Sequence, residues 1–220
     1  MHANNTVSVV RDMTIEDLDG VVHVQRDCFP PSLSILSALD DSVIRAYYGQ
    51  FLKEAGSYAA VLEEPDSGLI IGVTCGTRKP GIKKRFLIAY WPKFLWSIVI
   101  GLVTSKQVWK SLLYRAKKQN HLSLGRYDSK LSKQGVPAPR GTEDINVCIA
   151  VHSEFRGGGN AKKLIEFYMN RIFDMGVTRI RGAILSGNVA SLKFFRRQGW
   201  EVKQISDTQC SVWIDGPSIP

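Results

Sequence analysis

The sequence predicts a mixed α/β fold: a central, mostly antiparallel sheet flanked by helices, with a basic, helical insertion at about 79–144. Three observations predict it. The chain opens as a strand followed by a helix; "SYAAVLEE" and "LIIGVTCGTR" flank "PDSG", a hairpin signal; and after the insertion, strand-like runs alternate with helical patterns. At 220 residues with 44% apolar content, the chain can bury one substantial core and reads as one domain, 1–220.

The elements follow in order. "VSVVRDM" (7–13) reads as a strand, and Thr14 with Asp17 as a capping box for a helix carrying Leu18, Val21, Val22 and Val24. A second helix is expected around 41–54, where Val43, Ile44, Tyr47, Tyr48, Phe51 and Leu52 recur near helical spacing. The 57–78 hairpin comes next. Beyond the insertion, "INVCIAV" (145–151) is a strand and 160–175 a helix with Leu164, Ile165, Tyr168 and Ile172 on one face. A strand at 179–187, a helix at 189–198 and strands near 200–206 and 209–215 complete the chain.

The formal net charge is +9, and its placement matters more than its size. No Asp or Glu occurs from Ser67 to Tyr127, a stretch with twelve Lys and Arg residues and Trp91, Trp96 and Trp109. Nucleic acid, an anionic membrane surface and an anionic substrate all remain open as partners. Residues 86–103 carry one charge, Lys93, but Pro92 interrupts them. The run from Phe94 to Val103 falls short of the roughly 20 residues a membrane-spanning helix needs.

The four cysteines, Cys28, Cys75, Cys148 and Cys210, have neither metal spacing nor the density of a disulfide framework, which fits a reducing compartment. "MHANNTVSVV" lacks the features of a secretory signal, so a cytoplasmic location is expected. His23 and His121 have no partner suggesting a metal, and His152 reads as a local hydrogen-bonding residue.

The most informative stretch is "HSEFRGGGNAKK" (152–163), where a strand yields to a helix through three glycines. Such a turn presents backbone N–H groups with no helical partner, and lets an anion approach without a Cβ in the way. Arg156, Lys162 and Lys163 add positive charge. The lysines oppose the helix dipole at that end, which favours an anionic ligand. GxxxxGK[ST] is absent and GxGxxG does not fit. On the glycines alone, a structural turn and a phosphate cradle stay equally open.

The surrounding motifs weigh in. "VHSEFRGGGNAKKLI", "RGAILSGN" and "NVASLKFFRRQGW" together resemble the GNAT superfamily of acyl-CoA-dependent N-acetyltransferases over 143–203. Arg156, Gly159 and Ala161 match its R/Q-x-x-G-x-G/A signature, and Asn188 with the following helix matches its N-x-x-A-x-x-F-Y-x-x-x-G-F region, with Ser191 where alanine is usual. The resemblance implies a sheet splayed near the cofactor and acetyl-CoA as acyl donor, with no metal. It implies that Arg156, Gly157, Gly158, Gly159, Asn160, Ala161 and Lys162 hold the pyrophosphate. The edge of the strand ending at Val151 would pair with the pantetheine amides, Asn188 would touch that arm, and Phe195 would lie where many members carry a tyrosine.

That tyrosine protonates the departing thiolate in many members, and Phe195 cannot. General acid help is typically worth about 10²–10⁴-fold, so transfer is slowed rather than forbidden; water, Ser191 or Tyr168 could substitute. A Glu or His that members often carry before the glycines is also missing, the matching positions being Ile145 and Val147. Glu143 and Asp144 are the nearest carboxylates, and Glu143 shares the alternation of Ile145 and Val147. Exposed solvated charge is the competing reading for both. Cys148 could act as a nucleophile, with a structural thiol as the alternative.

An alkylammonium with pKa near ~10.4 is neutral in about one molecule in 10³ at pH 7, a cost of roughly 4 kcal/mol that a general base would offset. A weak base site suits a less basic amine. An amino group on a sugar ring fits, and "FP" at 29–30, "YY" at 47–48 and the insertion resemble family members associated with bacterial surface polysaccharides. The expected activity is acetyl transfer from acetyl-CoA to a primary amine on an anionic small molecule such as a nucleotide-linked amino sugar. A non-catalytic CoA-binding scaffold or regulator and a peptide or protein amine acetyltransferase are the alternatives. Residues 79–119 could form a lid or packed helix pair, or make peripheral contact with an anionic membrane at its inner face; nucleic acid is the least favoured partner. Oligomeric state is not legible.

Overall fold

The computed structural model describes residues 8–30, 34, 36–78, 86 and 144–217. The expectations for the body of the insertion, Glu143 among them, lie outside the described residues.

Local sequence sets each element. β1 (Val9–Asp12) leads to α1 (Leu18–Cys28) through a turn held by Asp17, whose carboxylate accepts from the Thr14 N–H (2.7 Å) and Thr14 Oγ1 (3.1 Å). This is one half of the expected capping box, with the acid reaching back. Arg11 adds a two-pronged ion pair to the same carboxylate, both contacts 2.7 Å. A short 3-10 turn (Leu36–Ala38) precedes α2 (Asp41–Lys53), whose cap is Asp40 accepting from the Ser42 N–H at 2.8 Å. β2 (Ser57–Glu64) and β3 (Leu69–Thr77) form the expected hairpin. Then come β4 (Asp144–Val151), α3 (Asn160–Asp174), β5 (Arg179–Leu185), α4 (Val189–Arg197), β6 (Glu201–Ser206) and β7 (Gln209–Asp215).

The strands make one sheet in the order β1-β2-β3-β4-β5-β7-β6. Every neighbouring pair is antiparallel except β4 and β5, which are parallel. The central strands are covered on both faces, so their sequences are continuous apolar runs rather than alternating ones. Ala59 and Val61 of β2 join Val21, Val24, Ile44, Tyr48 and Phe51 beneath α1 and α2. Their neighbours Ala60 and Leu62 turn to the opposite face and pack with Leu164 of α3.

α3 buries the stripe expected of it: Leu164, Ile165, Tyr168 and Ile172 are all fully enclosed. Each such side chain contributes about 1.5–3 kcal/mol. α1 crosses β3 so closely that a Cβ at Gly20 would lie 2.6 Å from the Ile70 Cβ, which explains a glycine inside a helix.

Candidate active site

The parallel pairing of β4 and β5 is brief. It covers Asp144↔Arg179, Ile145↔Ile180 and Asn146↔Arg181, after which β5 continues alongside β7 and leaves β4. The sheet therefore opens between the two strands from Val147 onward.

The phase of the β3–β4 ladder shows which groups line that opening. The His152 N–H donates to the Ile71 carbonyl at 2.9 Å, continuing the register that sets Gly72 opposite Val151. Hydrogen-bonded pairs alternate along an antiparallel ladder, so Ala150 and Cys148 bond toward β3 while Ile149 and Val151 turn their backbone groups toward the gap. The Val151 carbonyl is already engaged, accepting from Arg156 Nε (3.0 Å) and Cys28 Sγ (3.1 Å). Ile149 keeps its N–H and C=O at an edge that an extended amide chain can join as an added strand.

At the end of β4 the glycines take the conformations that make them necessary. Gly157, Gly158 and Gly159 have φ of 93°, 54° and 84°, and a Cβ built on any of them meets no heavy atom within 4 Å. Backbone geometry, not crowding, selects glycine here. The Asn160 N–H donates to the Gly157 carbonyl (3.2 Å) and the Lys163 N–H to the Gly159 carbonyl (2.9 Å). The N–H groups of Gly158, Gly159, Ala161 and Lys162 have no acceptor among the described residues. They are the orphan donors of the α3 N-terminus, gathered by the left-handed turn at the positive end of the helix dipole.

The turn is braced from outside. Asn160 spends its side chain on structure, accepting from Ser8 Oγ (2.7 Å) and donating to the Phe155 carbonyl (2.9 Å). Asp27, at the end of α1, accepts from the Ser153 N–H and Ser153 Oγ, both at 2.7 Å, and lies 3.7 Å from the Arg156 guanidinium and 3.8 Å from His152 Nε2. Burial pushes the Asp27 carboxyl up, but the Ser153 hydrogen bonds with His152 and Arg156 outweigh it and hold it below the usual range. His152 accepts from the Glu154 N–H at 3.4 Å through Nδ1 and stacks on His23. It serves the local hydrogen-bonding role the sequence suggested.

The Arg156 side chain also braces the turn. Its guanidinium folds back to Val151, Cys28 and Asp27 instead of spanning the glycines, so it shapes the turn while remaining half-exposed. Lys162 pairs with Glu166 one helical turn on (3.7 Å), and Lys163 reaches Ser8 Oγ (3.4 Å).

The other candidates lie on α3, α4 and β4. Asn188 caps α4 by accepting from the Ser191 N–H at 3.1 Å. Phe195 is buried, its ring 4.8 Å from that of Trp200. Tyr168 has a hydroxyl sealed from solvent with no partner among the described residues, and burial drives its pKa well above the ordinary phenol value, so it stays protonated. Asp144 begins β4 at the closed end of the splay, roughly 23 Å from Val151 at about 3.3 Å per residue. Among the described residues, no group of three or more His, Cys, Asp or Glu side chains converges as a metal site would. Nor is any described helix long and apolar enough to cross a membrane.

The acetyltransferase (GNAT) family model matches residues 18–200. The chain belongs to the GNAT acetyltransferase family. This GNAT fold is similar to that of a Salmonella typhimurium acetyltransferase solved with its cofactor acetyl-CoA, at 12% identity over 96% of this chain and 95% of that one, TM-score 0.58. It is also similar to a ribosomal-protein-alanine N-acetyltransferase from Brucella melitensis, at 15% identity over 94% and 99%, TM-score 0.55. A spermidine N-acetyltransferase chimera based on Vibrio cholerae gives 10% identity over 94% and 95%, TM-score 0.56. No curated protein matches the sequence closely enough to be called a relative.

As a GNAT enzyme the chain is an acyl-CoA-dependent N-acetyltransferase with acetyl-CoA as donor, which decides against the scaffold reading. The residues present fit that donor: the open N–H groups of the turn suit a pyrophosphate, and the Ile149 edge suits a pair of amides. The brace on Ser153 and the Ser8–Asn160 bond could not have been read from the sequence. Asp27 and Ser153 carry no local pattern that marks them for this contact.

Proposed function

We propose that this acetyltransferase acts on a primary amine of low basicity carried by an anionic small molecule, a nucleotide-linked amino sugar being the model. The observation that carries the reading is the side-chain lining of β4 beside the gap: Val147, Ile149 and Val151 on one side and Cys148 and Ala150 on the other. Among the described residues of this lining, 147–151, none is a carboxylate or an imidazole that could deprotonate an ammonium. An amine already neutral near pH 7 avoids the roughly 4 kcal/mol that neutralising an alkylammonium costs. The acid-free stretch 67–127, with its twelve Lys and Arg residues, supports an anionic acceptor.

Acetyl-CoA supplies the acyl group as an activated thioester. The chain's own part is positional. The turn N–H groups hold the pyrophosphate, and the Ile149 edge fixes the extended arm along β4. Phe195, buried in the cluster that Val147 and Ile149 pack against, donates no proton. The proton lost by the amine then passes to solvent or to a carboxylate outside this lining, for which Glu143 and Asp144 are the candidates.

A panel of acceptors tests the reading: nucleotide-linked amino sugars, neutral amino sugars, aliphatic polyamines and peptides with free amino termini, followed by release of CoA thiol. The nucleotide-linked amino sugar should give the highest kcat/KM, ahead of its neutral counterpart by about tenfold from charge attraction. Preference for a polyamine or a peptide would overturn it.

A further inference from the structure

β3 and β4 each carry one cysteine, and the sheet register sets them directly opposite, Cys75↔Cys148. Opposed residues of an antiparallel pair project to the same face. Here it is the face beneath α1 and α2, where Cys75 is packed with Tyr48 and Phe51. The His152–Ile71 hydrogen bond, four residues along the same register, makes 75/148 a hydrogen-bonded pair, whose Cα atoms lie about 5.5 Å apart. A disulfide accepts Cα separations of about 4.4–6.8 Å. Opposed Cβ atoms, at about 4.5–5.5 Å, must approach toward roughly 3.8 Å, so a bridge needs a small strand adjustment and stays easy to reduce.

Their exposures divide the labour. Cys148 is exposed and Cys75 is 2% exposed. That is the arrangement of an attacking thiol with a resolving thiol behind it. The other two cysteines lack it. Cys28 lies at the end of α1 against the Val151 carbonyl, and Cys210 faces Ile184 and Gln204 across its neighbouring strands.

We propose that Cys75 and Cys148 are a reversible oxidation site, a dithiol that a low-molecular-weight disulfide converts to an intrachain bridge between β3 and β4. The Cys148 thiolate attacks one sulfur of the small disulfide, forming a mixed disulfide and expelling one thiolate. The Cys75 thiolate then attacks the Cys148 sulfur and expels the second. Two protein S–H groups become one S–S bond, the small disulfide is reduced to two thiols, and the two protons end on those thiols. The bridge sits one residue from Ile149, on the strand that borders the cofactor gap. It rests on strand register and exposure, and is independent of the acceptor.

The test incubates the reduced full chain with excess oxidised glutathione near pH 8, alkylates the remaining thiols and maps the peptides. Two of the four thiols should disappear, with one linked peptide pair joining Cys75 to Cys148, and dithiothreitol should restore both. C75S should retain glutathione on Cys148. In C148S, Cys75 should react at least about tenfold more slowly than Cys148 does in the wild type, because its thiol is shielded. A stable glutathione adduct on wild-type Cys148 with Cys75 still alkylated would overturn the proposal, as would linkage to a different cysteine or an unreacted Cys148. Peptide mapping of the wild type decides this even where C75S folds poorly.

Discussion

α3 and α4 are entered in the same way, each from the end of one of the two parallel strands, yet their N-termini are finished oppositely. α4 begins at Asn188, whose side chain takes the Ser191 N–H and closes the end upon itself. α3 is capped by Gly159, with no side-chain cap bond, the last of three glycines of positive φ that leave several N–H groups without an acceptor among the described residues. A capped end is worth stability; an open end gives up that stability and presents its donors to an anion. The difference makes the open end of α3 the proposed seat of the cofactor's phosphates.

The largest effect should come from closing the open end. Gly159→Val places a β-branched residue at φ 84° and distorts the turn. Acetyl-CoA affinity by calorimetry should fall by about 10²-fold or more, the loss of two charge-assisted hydrogen bonds, while circular dichroism still shows a folded protein. Unchanged affinity in the folded variant would remove the phosphates from this turn.

Loosening the brace should cost less. Asp27→Ala releases Ser153 and should weaken acetyl-CoA binding about tenfold with kcat nearly unchanged, since the N–H groups survive but are less well held. It should also lower stability at pH 7 by about 1–2 kcal/mol. The Asp27 pKa is depressed in the fold, so this contribution is present above its unfolded value near ~3.9 and vanishes as pH falls through the lower folded value. Urea midpoints of wild type and variant should therefore differ at pH 7 and converge in acid. A gap that widened on acidification would show that the carboxylate is not the group being stabilised.

Opening the capped end is the converse. Asn188→Ala should cost about 1 kcal/mol of stability, read from urea unfolding, and change acetyl-CoA affinity less than about threefold. A tenfold loss of affinity would mean that Asn188 reaches the cofactor as well as the helix. The smallest effect belongs to Phe195→Tyr: with the ring enclosed against Trp200, acetyl transfer should stay within about threefold or rise. A large fall in kcat would show that the ring packs on substrate.

Much of this architecture was legible because it is local. The α3 stripe of Leu164, Ile165, Tyr168 and Ile172 follows from helical period, and the "PDSG" hairpin from turn chemistry. The motif around Asn188 located the family, but not the fact that its side chain is used as a cap. Arg156 is legible in the sequence as a cation at the start of the glycine turn. Its actual direction depends on Asp27, more than a hundred residues earlier, and on the Val151 carbonyl, neither of which leaves a trace in local pattern.

The sequence by itself determined the helices, the strands and the three glycines, since φ preferences, side-chain period and caps act over a few residues. Tertiary structure alone decided three things: that β4 parts from β5 after three paired positions, that Asp27 braces the turn, and that Cys75 faces Cys148. Each depends on which strand or helix lies beside which. That choice is made by burial of whole faces, so residues distant in sequence become partners only once the sheet has assembled.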